Sequence, residues 1–102
     1  MDVRGRDLRY FLAVAEELSF THAAERLYLS QPALSKQIRA LERHLGTLLF
    51  TRDRQQVTLT PVGEALVPHA YMRVHRAALQ FRRRAGAPLR RRFTTLRTRP
   101  GR

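Results

Sequence analysis

Residues 20 to 46, FTHAAERLYLSQPALSKQIRALERHLG, hold two helical apolar patterns separated by a turn of only a few residues, a spacing that reads as a helix-turn-helix. Ala23, Ala24 and Leu27 share one face of a short helix. Thr21 is its expected cap, and Glu25 is placed favourably near the positive N-terminal end. Leu29 is expected to plug the turn against the core. Ser30 then caps the next helix, Pro32 is tolerated in its first turn because the missing N–H has no intrahelical partner there, and Gly46 supplies the stop.

The second helix carries the functional signal. At about 100° of rotation per residue, Leu34, Ile38, Leu41 and Leu45 form one apolar stripe, while Pro32, Ser35, Lys36, Arg39 and Arg43 gather on the opposite side. Ser and Gln can hydrogen-bond base edges, Lys and Arg can bond guanine or phosphate, and the small Ala33 lets the helix N-terminus approach closely. That set suits the major groove of DNA. A polar face of this kind also describes an ordinary solvated helix; the short partner helix and the tight turn favour the groove.

At 102 residues the chain has room for one small domain plus an extension. It has no cysteine, which rules out disulfides and thiolate metal sites. No apolar run reaches membrane-spanning length, and Arg4, Arg6, Asp7 and Arg9 interrupt any signal-peptide core at the N-terminus. A cytoplasmic protein with no membrane partner is expected. The net charge of +12 is unevenly placed: residues 1 to 60 hold nine Lys or Arg against seven Asp or Glu, giving +2, whereas residues 61 to 102 hold eleven against one, giving +10. The segment that resembles a DNA reader is thus nearly neutral, and recognition is expected from its pattern rather than from its charge.

Ahead of the motif, Leu8, Phe11, Leu12, Ala15 and Leu18 recur at helical spacing, with Asp7 the expected cap of a first core helix. After Gly46, two short β-prone runs, Leu48 to Arg52 and Val57 to Leu59, flank a polar turn at Asp53 to Gln56, the pattern of a small hairpin or wing. Thr60 and Pro61 signal another helix start, after which Leu66, Ala70, Val74, Ala77 and Phe81 give a long apolar stripe. Pro68 is expected to bend this helix without breaking it. A solitary helix with so much apolar surface is poorly stabilised in water, so a homodimer through that stripe is expected. From Arg82 onward there are nine arginines, no acid and two prolines, a composition that predicts disorder. The fold class is mainly α: a winged helix-turn-helix of three helices and a two-stranded wing over residues 1–60, a linker helix over 61–81 and an arginine-rich tail over 82–102.

Other signals carry no chemistry. His22, His44, His69 and His75 show no paired metal-ligand spacing, and no glycine cluster or nucleophile triad is present, so no metal, cofactor or catalytic site is expected. Glu16 and Glu17 are expected to point apart as solvated surface. Tyr10, Tyr28 and Tyr71 are expected to pack rather than to stack on bases.

Helix, helix-turn-helix, wing and linker helix in this order resemble the N-terminal DNA-binding domain of bacterial LysR-type transcriptional regulators. LRYFLAVAEELSFTHAAERLYLSQPALSKQIRALERHLGTLLFTR is similar to the family pattern almost position by position, and VTLTPVGEALVPHA resembles its entry into the linker helix. The resemblance implies a double-stranded DNA partner, with the second motif helix in the major groove, the wing at the neighbouring minor groove or backbone, and linker helices paired antiparallel. Carried over residue by residue, it puts Thr21 and His22 near phosphates, sets Gln31, Pro32, Ala33, Ser35, Lys36 and Arg39 towards bases or adjacent backbone, and gives Arg52 and Arg54 to the wing. There are two departures. Where the family continues into an effector-binding α/β domain, this sequence has the arginine-rich tail, so no small-molecule effector is expected in this chain. Nineteen of its twenty basic residues are arginine, as a GC-rich coding sequence would give, and truncation or a shifted reading frame is the expected origin. The wing also carries Gln55 and Gln56 where the family offers a basic residue, leaving minor-groove contact to Arg54. Two rival readings are a nonspecific nucleic-acid-coating protein driven by the tail and a truncated dimerisation partner of longer relatives.

Overall fold

Three helix starts are set by hydroxyl side chains in extended backbone. In the computed structural model, which describes residues 3–53 and 56–76, Ser19 Oγ accepts from His22 N at 3.1 Å, Ser30 Oγ from Ala33 N at 3.2 Å and Thr60 Oγ1 from Gly63 N at 3.0 Å. Each such cap stabilises its helix by about 1 kcal/mol. The elements are α1 (Gly5–Glu17), α2 (Phe20–Leu27), α3 (Gln31–Leu45), β1 (Phe50–Asp53), β2 (Gln56–Leu59) and α4 (Pro61–Val74). The expected winged helix-turn-helix followed by a further helix is the architecture observed. Arg54 and Gln55 at the wing turn, Ala77, Phe81 and the whole tail from Arg82 lie outside the described residues.

Two caps differ from expectation. Ser19, not Thr21, caps α2; the earlier start brings Phe20 into the helix, where it joins Ala23 and Ala24 in the core. Thr21 is consequently an exposed residue of the first turn. Asp7 does not cap α1, which begins after Arg4 without a side-chain cap and carries Asp7 in its first turn.

α1 is the centre of the molecule. Leu8, Phe11, Leu12, Ala13, Val14 and Ala15 are all buried, more than one stripe of the helix, because α2 and α3 pack against it and so does α4. The ring of Phe50 meets Phe11 at 5.4 Å between centroids and Phe20 edge-on at 6.0 Å, which seats the base of the wing on this core. Glu16 and Glu17 do not point apart into solvent: both pair with Arg26, joining α1 to α2. Burial pulls the Arg26 guanidinium down, but its hydrogen bond and charge contact with Glu16, followed by those with Glu17, outweigh that and hold it above its ordinary range. Tyr71 is buried and Tyr10 half-buried, as expected of packing residues, whereas Tyr28 is 94% exposed. Packing does not account for Tyr28.

The strands pair antiparallel from Phe50↔Leu59 to Asp53↔Gln56. β1 begins two residues later than the apolar run because the Leu49 N–H donates to Glu42 and not across the hairpin, although the Leu49 carbonyl still accepts from Thr60 N opposite it. Thr51 and Thr58 hydrogen-bond across the exposed face at 2.6 Å. α4 then runs unbroken through Pro68. Its first turn rides directly on the wing root, where Gly63 is buried so closely that a Cβ would overlap the Leu49 carbonyl oxygen.

Candidate nucleic-acid interface

The N-terminal half of α3 opens onto solvent. Gln31, Pro32, Ala33, Lys36 and Arg39 are exposed, and Gln31, Pro32, Ser35, Lys36, Arg39, Arg43 and Arg52 line one open concavity between α3 and β1. Four cations therefore converge there from two elements, although residues 1–60 carry a net charge of only +2. Tertiary folding concentrates what the linear count dilutes. Arg43 was visible on the polar side of the helix, and the concavity adds it to the candidate set.

Ser35 departs from the expected exposed stripe. It is 7% exposed, because it lies about 60° around the helix from Ile38 and falls on the margin of the packed face. It still lines the concavity, recessed beside the projecting Arg39. Thr21 and His22 lie exposed in the first turn of α2.

Arg52 is held rather than free. Its guanidinium carbon stands 4.0 Å from the centroid of the Phe20 ring, so the aromatic face fixes a cation at the edge of the concavity. Burial lowers the affinity of this guanidinium for its proton, the neighbouring charge of Arg39 lowers it further, and Glu42 opposes both. Even so, an arginine stays charged at physiological pH. Sequence reasoning did not single out the positioning role of Phe20.

Glu42 was missed as well. Its carboxylate is buried and one oxygen, Oε2, accepts from Leu49 N at 2.9 Å and from Phe50 N at 3.3 Å, tying α3 to the first residues of the wing. The available signal was an acid four residues after Ile38, on the row next to the apolar stripe.

The expected dimer stripe is partly consumed by the fold. Ala70 is fully buried, and Leu66 and Val74 are half-buried against the core, because this face of α4 packs on α1. The opposite face carries Pro61, Ala65, Pro68 and Met72, all exposed, with Met72 at 55%. At about 100° per residue they form a second, outward apolar row. Among the described residues no helix is long and apolar enough to cross a membrane, and no group of three or more His, Asp or Glu could hold a metal ion.

A small helical domain in which a helix-turn-helix is followed by a two-stranded antiparallel wing defines the class of winged helix-turn-helix proteins. The model of the family described as bacterial regulatory helix-turn-helix protein, lysR family, matches residues 5–64, and the chain belongs to that family. It is 54% identical over 65 residues to the Hca operon transcriptional activator HcaR of Escherichia coli, an alignment covering 64% of this chain and 22% of that protein. The chain thus spans about a fifth of the length of that curated relative. Among solved structures, the DNA-binding domain of BenM in complex with benA site 1 DNA is 40% identical with a TM-score of 0.72, covering 78% of this chain and 92% of that one. The CbnR DNA-binding domain in complex with DNA is 36% identical with a TM-score of 0.71, covering 82% and 97% of the two chains.

Proposed function

We propose that this chain is a DNA-binding transcriptional regulator of the lysR type, which sets the N-terminal half of α3 into the major groove of a specific duplex site. The observation that carries this reading is the convergence of Lys36, Arg39, Arg43 and Arg52 with Gln31 and Pro32 on one concave surface. Lys36 and Arg39 reach base edges or flanking phosphates, Gln31 offers both a donor and an acceptor, and Arg52, steadied on Phe20, meets the backbone beside the wing. Thr21 and His22 approach the backbone from α2. The solved complexes of BenM and CbnR DNA-binding domains with DNA support the partner.

Selection from random duplexes should return a preferred site, and Lys36→Ala and Arg39→Ala should each weaken binding to it. A lost base contact costs about 1–3 kcal/mol and relaxes preference at one position, whereas a lost phosphate contact lowers affinity for all sequences and reduces the salt slope by about one. If neither variant binds differently from the parent, α3 is not the reader.

The same reading includes pairing of two copies through α4, along the outward row of Ala65, Pro68 and Met72 rather than the inward Ala70. Two readers in one dimer place half-sites about 34 Å apart or a multiple of that. Replacing Ala65 and Met72 together by Asp, at exposed positions outside the core, should yield monomers by light scattering and weaken binding to a palindromic site. Dimers of unchanged affinity would move the seam elsewhere.

A further inference from the structure

Among the described residues two non-glycine positions adopt left-handed backbone, Leu18 (φ 51°) and Tyr28 (φ 60°), each as the C-cap of its helix. Such a conformation costs a side-chain-bearing residue roughly 1–2 kcal/mol relative to glycine. The helix α3 ends in the same conformation on Gly46, which carries no such cost. Leu18 is half-buried, so it gains some burial in return for the strain. Tyr28 has no such return: it is 94% exposed, the most exposed large apolar side chain of those described. An aromatic residue thus occupies a position that glycine would fill more favourably, and folding does not explain it.

Its place in the chain does. Tyr28 ends α2 two residues before Ser30, the N-cap of α3, and three before Gln31 on the proposed reading surface. Three residues reach at most about 11 Å, comparable to the roughly 12 Å width of the major groove. With the N-terminal half of α3 in the groove, the turn that carries Tyr28 is therefore within reach of a flanking strand, and its side chain is free to turn towards it. A phenol there presents an uncharged donor to a phosphate oxygen and a flat apolar face to the sugar beside it.

We infer that Tyr28 is a DNA-backbone contact, its hydroxyl donating a hydrogen bond to a phosphate that flanks the α3 groove. This rests on the proposed placement of α3 and deepens it. The contact positions the reader and selects no base, and because it displaces no cation it leaves a signature distinct from that of Lys36 or Arg39.

The test measures equilibrium binding of the full chain to its selected duplex over a range of salt concentrations, together with thermal melting without DNA, for the parent, Tyr28→Phe, Tyr28→Gly and Lys36→Ala. Tyr28→Phe should bind about tenfold more weakly, the loss expected for a hydrogen bond to a charged group, with an unchanged salt slope and preferred site. Tyr28→Gly should bind more weakly still while melting at the same temperature as the parent or higher, so that binding and stability move in opposite directions. Tyr28→Phe binding like the parent would overturn the contact, as would a fall in the melting temperature of Tyr28→Gly large enough to explain its lost binding. Lys36→Ala, read with the Arg39→Ala variant above, separates the two levels: if both bind like the parent, the α3 placement fails and the Tyr28 contact falls with it, whereas if either weakens and Tyr28→Phe does not, only the Tyr28 contact fails.

Discussion

Gly63→Ala should destabilise the protein by roughly 3 kcal/mol or more, a large share of the 5–15 kcal/mol that separates folded from unfolded states in a typical domain. The added methyl would press on the Leu59 side chain and overlap the Leu49 carbonyl oxygen, and the latter cannot yield easily. The Leu49 oxygen is backbone, already bonded to Thr60 N at 3.0 Å, and Leu59 is paired with Phe50 in the wing. Relief therefore requires α4 to lift from the wing root, breaking the Thr60 cap and its 2.8 Å bond to the Leu48 carbonyl. Thermal melting should fall by about 10 °C or more. Gly5→Ala is the internal comparison: a Cβ there meets nothing within 4 Å, so reduced freedom of the unfolded chain should leave stability equal or slightly higher. Equal melting temperatures for the two variants would show that α4 can shift at little cost.

Glu42→Ala should lose both stability and DNA affinity. Two buried backbone donors, at Leu49 and Phe50, lose their acceptor together, at a cost of roughly 2–4 kcal/mol. The wing then loses its anchor to α3, and Arg52 its fixed place over Phe20. Glu42→Gln separates geometry from charge, because its amide oxygen can still accept from the wing while the negative charge beside Arg39 and Arg52 is gone. We expect Glu42→Gln to melt between the parent and the Ala variant and to bind DNA at least as tightly as the parent at low salt, since the concavity becomes more positive. Equal loss of affinity in both variants would mean that the carboxylate acts by its charge rather than as a latch.

Much of the architecture was legible because it is written in short-range chemistry. The apolar spacing of α3, its Ser30 cap, Pro32 in the first turn and Gly46 at the end all act within a few residues, and the structure bears out each. Errors arose where two local solutions were equally good. Ser19 and Thr21 are both competent caps, and the choice fell to Ser19 because the Phe20 ring then reaches a core made by α1 and Phe50. Tyr28 was expected to pack because aromatic residues usually do, and no local rule shows that the turn holding it faces away from every other element.

The division between sequence and tertiary structure follows the range of the forces involved. Hydrophobic period, hydroxyl caps and proline and glycine positions determined by themselves that this chain forms a helix-turn-helix with a wing and a further helix, because each acts along the backbone with no need of a distant partner. Only the assembled fold decided which side of α4 is free, since the inward row of Leu66, Ala70 and Val74 is taken by α1 and the outward row is left to solvent. It alone converted a nearly neutral segment into a basic concavity, by bringing Arg52 from the wing beside Lys36, Arg39 and Arg43 of α3. It also gave Glu42 its task. A carboxylate on a helix acquires the role of a latch only when burial withdraws water and a second element supplies the two N–H groups that must be satisfied.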